Sequence, residues 1–423
     1  MHARVLLLFS LLNAALWAQP LSLAEAQRKA LEQHPGIARL QAKQEEVRQR
    51  ISEVNAGGRP HLDVQARYLF VTPELGFAAP QGSLPLIVNH NYQAGLVLEQ
   101  AIATFGRLHW ARQGAELHLK SLEQDEIRER QRLSYQVALA YSRLQTARLA
   151  IGVAEQSLAA RQQLLKNLGL REKAGTSAHF ETLVAEVAQA QDQQRWVMAQ
   201  QQSQLAQSQL QVLLGLPREQ SLQLESLPTP DAPTIAEEKL LQQAFQQRPE
   251  LRAVDFAVQA AEAKVQLEES QANPSLGLQS RLEGRNSTTF QTGHQWSVGL
   301  EFRWPLYDGG LTAARSAQAE AARIQISEGR RELERVVRLE VEEAAVRYRS
   351  AWQNQAVAER HLKAAEEASR LGELRFRAGV STHQEVLDVQ ARLREAQQGL
   401  FDAQQNLREC LWLVNFVCGE SLI

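Results

Sequence analysis

Apolar positions along this chain follow two different periods that take turns. Ile37, Leu40, Val47, Ile51 and Val54 recur at helical spacing, and so do Leu251, Val254, Val258, Val265 and Leu267. A shorter amphipathic stretch precedes each of these. Leu23, Ala26, Ala30 and Leu31 lead to His34-Pro35, and Leu240, Leu241, Ala244 and Phe245 lead to Arg248-Pro249. A proline suits the first turn of a new helix, because its missing N–H would have no partner there. After Gly57-Gly58-Arg59-Pro60 and Asn273-Pro274 the period drops to two. Leu62, Val64, Ala66 and Tyr68 alternate with Asp63, Gln65 and Arg67, and Ala94, Leu96 and Leu98 with Gln93 and Glu99. Leu276, Leu278 and Leu282 alternate with Gln279, Arg281 and Glu283, and Trp296, Val298, Leu300 and Phe302 with Ser297, Glu301 and Arg303. Strict alternation predicts strands with one apolar and one polar face. Two β-hairpins follow, at about 61–100 and 275–304, joined by Gly/Pro/Asn/Ser-rich loops over Thr72–Asn89 and Gly284–Gly293. The chain supplies four strands.

Glycine turns at Phe105-Gly106 and Tyr307-Asp308-Gly309-Gly310 end the hairpins. Helical patterns without proline then run from Gly106 to Gly175 and from Gly310 to Gly379, 69 positions each. A helix of that size rises about 100 Å, far beyond the usual ~10–14 residues, and survives only by wrapping around neighbours. Ala174-Gly175-Thr176-Ser177 and Ala378-Gly379-Val380-Ser381 turn each one back, with Ser177 and Ser381 as expected N-caps. Partner helices run on to Gly215 and Gly419.

The whole arrangement is a duplication. Pro35 and Pro60 recur 214 positions later as Pro249 and Pro274, while Gly106, Gly175 and Gly215 recur 204 positions later as Gly310, Gly379 and Gly419. The ten-residue difference falls in the first hairpin loop. Each copy is far longer than the ~20–50 residues of a solenoid repeat, so one large unit is doubled. The expected organisation is a signal peptide (1–18), a first repeat (19–216), an extended Pro-rich linker (217–233) and a second repeat (234–423). The fold class is mainly α with a small β part.

Charge is nearly balanced, 46 basic against 48 acidic residues, and no basic stripe with interleaved aromatics points to nucleic acid. His2, Arg4, the apolar run Val5–Leu12 and Ala18 have the layout of a secretory signal, without a cysteine for a lipid anchor. No later segment approaches the ~18 apolar residues of a transmembrane helix. Cys410 and Cys418 are eight positions apart in a helical stretch, too far for a disulfide, and are expected in the core. Neither a Cys/His/Asp cluster at metal-ligand spacing nor a phosphate-binding Gly-rich loop appears, so no cofactor is expected.

Four strands cannot close a barrel, and open edges carry a severe cost in lipid. Three chains pooling four strands each reach twelve, an even number in the outer-membrane range. The apolar face would then meet lipid and the Asp/Gln/Arg/Glu face would line water. Tyr68, Phe70, Tyr92, Phe290, Trp296 and Trp304 sit near strand ends, where aromatic girdles occur. A soluble β-sandwich fits the alternation alone, but has no use for a signal peptide or such long helices.

Across essentially the whole mature chain the pattern resembles the TolC-like outer-membrane efflux and secretion channels. The resemblance rests on the duplicated order of elements, on Trp304-Pro305-Leu306-Tyr307-Asp308-Gly309-Gly310, and on Arg377-Ala378-Gly379-x-Ser381 followed by Glu385-Val386-Leu387-Asp388-Val389-Gln390. It implies a homotrimer with a 12-stranded barrel in outer-membrane lipid and a helical tunnel in the periplasm. The tunnel would be coupled through a periplasmic adaptor to an inner-membrane pump. Such a conduit has no catalytic residues. By the same resemblance Glu385 and Asp388 ring the periplasmic mouth, and Glu181 joins the closed-state network. Arg171, Gly175, Ser177, Arg375, Arg377, Gly379 and Ser381 form the turns that meet the adaptor. Phe376 stands where the best-known member has a hydrogen-bonding Tyr, and Ser381 where it has an Arg, so the lock differs here and turns to Arg375 or Arg377. His179 and His383 occupy equivalent places in the two turns and are candidate pH-sensing groups. The competing class is a periplasmic adaptor, a soluble coiled-coil protein. Adaptors carry one helical hairpin where this chain has two, each preceded by an amphipathic β-pair.

Overall fold

The computed structural model describes residues 20–73, 75–80, 82–87, 89–176, 178–218, 220, 222–228, 236–285, 293–378 and 380–420. The signal segment, Ser177, Gly379 and Phe290 lie outside the described residues. Helix α1 (Leu23–Gln33) starts at Ser22, which forms a reciprocal capping box with Glu25, and α2 (Pro35–Ala56) follows directly on Pro35. Strands β1 (His61–Phe70), β2 (Leu75–Ala79), β3 (Gly82–Ile87) and β4 (His90–Ala103) lead into α3 (Arg107–Lys173), which turns back as α4 (His179–Leu214). The second copy repeats the plan with α5 (Glu237–Gln247), α6 (Pro249–Glu269), β5 (Ser275–Arg285), β6 (Gly293–Arg303), α7 (Leu311–Arg377) and α8 (His383–Val417). Both long helices are 67 residues.

One expectation changes. The Thr72–Asn89 segment contains a second, two-stranded hairpin, β2 against β3, beside the predicted strands. Pro80, Gly82 and Pro85 are loop markers in sequence, yet Gly76 pairs opposite Pro85 and the ladder forms around them. This hairpin is separate from the main sheet.

That main sheet is four-stranded and wholly antiparallel, in the order β1-β4-β5-β6. The central ladder, β4 on β5, joins the two copies, and β1 and β6 are left as edges. Register puts Val64 opposite Leu96, Leu96 opposite Leu282, and Leu282 opposite Trp296. Alternation therefore gathers these residues on one face with Leu62, Val298, Leu300 and Phe302. All of them are exposed, from 41% at Leu96 to 79% at Val64. A contiguous apolar face of this kind is foreign to a soluble monomer. Trp296 donates its indole N–H to Ser280 across the strand at 3.0 Å, which satisfies its polar end on that apolar face.

Two compact units cut across the duplication. One holds residues 40–125 and 250–333, hence the sheets and the flanking parts of α2, α3, α6 and α7. Its helices close on Val47, Leu117, Leu122, Ala261, Ala263 and Val265, with Gln44 and Ser121 donating to the Leu122 and Ala253 carbonyls. The other unit holds residues up to 39, 126–249 and 334–423. Its core includes Ala26, Ala30, Val137, Tyr141, Leu144, Leu210 and Leu214. Val337, Val341, Leu407 and both cysteines are buried in the same unit, and Cys410 and Cys418 are free thiols.

Where it is described, the Pro-rich segment after α4 is docked on the helices. Leu222 is buried, and Leu21 and Leu224 form a parallel bridge. Tyr141 directs its hydroxyl at the Leu21 and Glu225 carbonyls, both at 2.7 Å. Among the described residues no helix is long and apolar enough to cross a membrane; that statement does not concern strands.

Candidate functional site

The helical turns carry the residues singled out from sequence. In the first turn Gly175 adopts φ +75°, and its N–H donates to the Glu172 carbonyl. The Arg171 carbonyl accepts from both the amide and the hydroxyl of Thr176, closing the end of α3. Glu172 bridges the two helices of this hairpin. Its carboxylate meets His179 Nδ1 at 2.7 Å and accepts from the Thr182 hydroxyl at 2.5 Å. Those hydrogen bonds, Thr182 first and His179 second, hold Glu172 below the usual carboxylate range. Glu181 lies exposed in the first turn of α4, where the helix dipole favours an anion.

The second turn is built differently. Its equivalents of Glu172 and Thr182 are Phe376 and Val386, so two apolar side chains stand where the first turn has its polar bridge. Phe376 is 44% exposed and Val386 is buried. The Arg375 carbonyl accepts from the Val380 amide. Thr382, not Ser381, caps α8, with its hydroxyl accepting from the Glu385 amide at 3.3 Å. Ser381 Oγ is instead enclosed, without a hydrogen-bond partner among the described residues. The sequence carried this signal, because Thr382 and Glu385 have the spacing of a capping box. In the first turn Ala178 occupies the N-cap position of α4 and makes no side-chain cap. Glu385 and Asp388 both lie exposed in the first two turns of α8. Of the two histidines, His179 is tied to Glu172, and the His383 side chain lies outside the described residues, as does that of Arg377.

Charged residues also sit along the polar face of the sheet. Arg67, Gln93, Arg285 and Gly293 form one row of partners at the end carrying the hairpin loops. The next row is Gln65, Gly95, Glu283 and Gln295, followed by Asp63, Val97, Arg281 and Ser297. Towards the helices come Glu99 and then Glu301 and Arg303, the last two paired at 2.9 Å. Glu283 accepts from the Gln93 amide at 2.7 Å, and Arg285 donates to Gln295 at 3.4 Å. A face of this kind is suited to water, and the opposite face to hydrocarbon.

Among the described residues no group of three or more His, Cys, Asp or Glu side chains is placed to hold a metal ion. Sheet, helices and turns together define a channel-type outer-membrane fold, and solved structures share it. One is the outer membrane protein VceC from Vibrio cholerae (TM-score 0.76, 18% identity, covering 95% of this chain and 97% of that one). Another is the CmeC outer membrane channel of Campylobacter jejuni (TM-score 0.78, 15% identity, covering 94% and 85%). The model of the outer membrane efflux protein family matches residues 26–216 and 240–411, once in each copy, and the chain belongs to that family. It is an outer-membrane efflux channel, located in the outer membrane with a long periplasmic helical extension. The pyoverdine export outer membrane protein OpmQ of Pseudomonas putida is 28% identical over 324 residues, 73% of this chain. The match spans 66% of that relative's length.

Proposed function

We propose that three copies of this chain close a 12-stranded barrel and continue as a helical duct that a periplasmic adaptor couples to an inner-membrane pump. The observation that carries this reading is the open four-stranded sheet, apolar on one face, charged on the other and unpaired at β1 and β6. Edge closure by sister chains satisfies every backbone group and gives each face its own solvent. The duct is passive, with the pump supplying the energy. The relative named for pyoverdine export makes a small molecule the cargo class to test first.

In this reading Glu385 and Asp388 form threefold carboxylate rings at the periplasmic mouth, and Glu181 belongs to the contacts that hold it closed. Carboxylate rings attract cations and repel each other, so the turns around Arg171, Gly175, Arg375 and Ser381 must supply the opposing constraint and the adaptor surface. The test is direct. Mature protein in detergent is expected at three times the chain mass by light scattering, with discrete conductance steps in planar bilayers. Glu385→Gln with Asp388→Asn is expected to reduce cation preference in those steps. A monomer in water with no affinity for detergent or bilayer would overturn the proposal.

A further inference from the structure

The family assignment does not say what charge the exported molecule carries, and the polar face of the sheet bears on that question. The last row to cross all four strands before the hairpin loops holds two guanidiniums, Arg67 and Arg285, and no carboxylate. They stand on alternate strands with Gln93 between them, and both are exposed. Glu283, the nearest acid on β5, is already engaged by Gln93 at 2.7 Å, and Arg281 on the same face offsets its charge. Arg303 at the opposite end is paired with Glu301. Among the described residues neither Arg67 nor Arg285 has a carboxylate partner. The positive charge is therefore concentrated at the loop end, which faces outward when the helices are periplasmic.

We infer that Arg67 and Arg285 form a cationic ring at the external mouth of the lumen, selecting small molecules that bear carboxylate or phosphate groups. The inference rests on the trimeric barrel reading, in which two guanidiniums per chain become six around one opening. Scale decides whether such a ring matters. Twelve strands at about 4.8 Å spacing, tilted about 40°, enclose a backbone radius of about 12 Å. The Debye length is about 8 Å at physiological salt and about 30 Å at 0.01 M. The ring's field thus covers much of the opening in the cell and all of it at low salt. Arginine suits the task, because its planar fork pairs bidentately with oxyanions.

The experiment uses full-length mature protein in planar bilayers at about 0.01 M salt, with inorganic tripolyphosphate as the probe. Added on the loop side, it is expected to block wild-type current. In Arg67→Gln/Arg285→Gln the half-blocking concentration is expected to rise at least tenfold, and the reversal potential in a KCl gradient to move toward potassium. Arg67→Lys/Arg285→Lys keeps the charge and is expected to retain the block within about threefold. Should the double Gln variant not insert, each single Gln variant is expected to raise the half-blocking concentration by itself. An unchanged half-blocking concentration in the Gln variants, or a wild type indifferent to the anion, overturns the inference and leaves the pore intact. Wild-type protein that gives no current steps at all overturns the barrel reading itself, and the ring falls with it.

Discussion

Tyr141→Phe removes one oxygen from the centre of the helical unit and leaves the packing unchanged. The ring is fully buried, and its hydroxyl reaches the carbonyls of Leu21 and Glu225, each at 2.7 Å. A phenol has a single proton, so the two carbonyls share it. Leu21 O keeps a second donor in the variant, the Glu225 amide at 3.1 Å, whereas Glu225 O loses the hydroxyl without replacement among the described residues. A net hydrogen bond is worth about 0.5–1.5 kcal/mol and a stranded buried acceptor about 1–3 kcal/mol. With one carbonyl still served, the expected loss is about 1–2 kcal/mol, confined to the parallel bridge between Leu21 and Leu224. Such a loss raises the local opening constant roughly 5–30-fold. Hydrogen exchange by mass spectrometry, on peptides spanning 20–27 and 222–228, reads this directly. The Leu21 amide, which donates to Gln223 O at 2.7 Å, is the most sensitive reporter. Exchange unchanged within twofold would refute the idea that this hydroxyl pins the segment. The alkaline limb gives a second check. Burial pushes the Tyr141 hydroxyl up to about 12 from 10.0. The folded form therefore keeps its proton longer than the unfolded one. That contribution is complete below pH 10 and disappears as pH rises through about 12, and the variant lacks it.

Three further outcomes are expected. Thr382→Ala deletes the cap on α8 at the cost of about 1 kcal/mol, seen as faster exchange at Glu385 and Val386 with the first turn unaffected. Gly419→Ala is more damaging than Gly215→Ala although the two are equivalent in the duplication. Both have positive φ, but a Cβ at 419 comes within 3.0 Å of Gln247 and Arg248 backbone atoms, while at 215 it meets the Gln33 side chain at 3.2 Å; melting temperatures in detergent rank them. Glu172 is held low by Thr182 and His179, so its contribution is fully present above pH 4.5 and fades as acid passes its lowered folded value. Peptides across the first turn are expected to open on acidification, earlier in Thr182→Val, and those across the second turn to stay protected.

Sequence carried the architecture further than the details of the turns. Period-two runs such as Leu62-Val64-Ala66-Tyr68 announced the four main strands, because each has one face for hydrocarbon and one for water. The proline-free stretches between Gly106 and Gly175 and between Gly310 and Gly379 announced the long helices. The β2–β3 hairpin was hidden because Gly76, Pro80, Gly82 and Pro85 break the alternation that marks a strand. The Glu172 bridge was hidden for another reason. Its partners His179 and Thr182 lie across the turn, and nothing in linear order says that a carboxylate will reach them. Ser381 is the obvious cap by residue type, yet Thr382 takes that place, its hydroxyl accepting from the Glu385 amide three positions later. The docked Pro-rich segment depended on Tyr141, 76 positions before Pro217, a contact that only tertiary folding discloses.

The ladder between β4 and β5 has an implication for ancestry. It welds strands of different copies inside one chain, and β1 and β6 offer edges of the same antiparallel kind to neighbours. In the proposed trimer, a precursor of half the length, with one main hairpin and one helical hairpin, would have carried all the parts needed for a ring of six. Fusion would then have halved the number of pieces to be assembled and left the two turns free to diverge, one to the polar bridge at Glu172 and the other to the apolar side chain of Phe376.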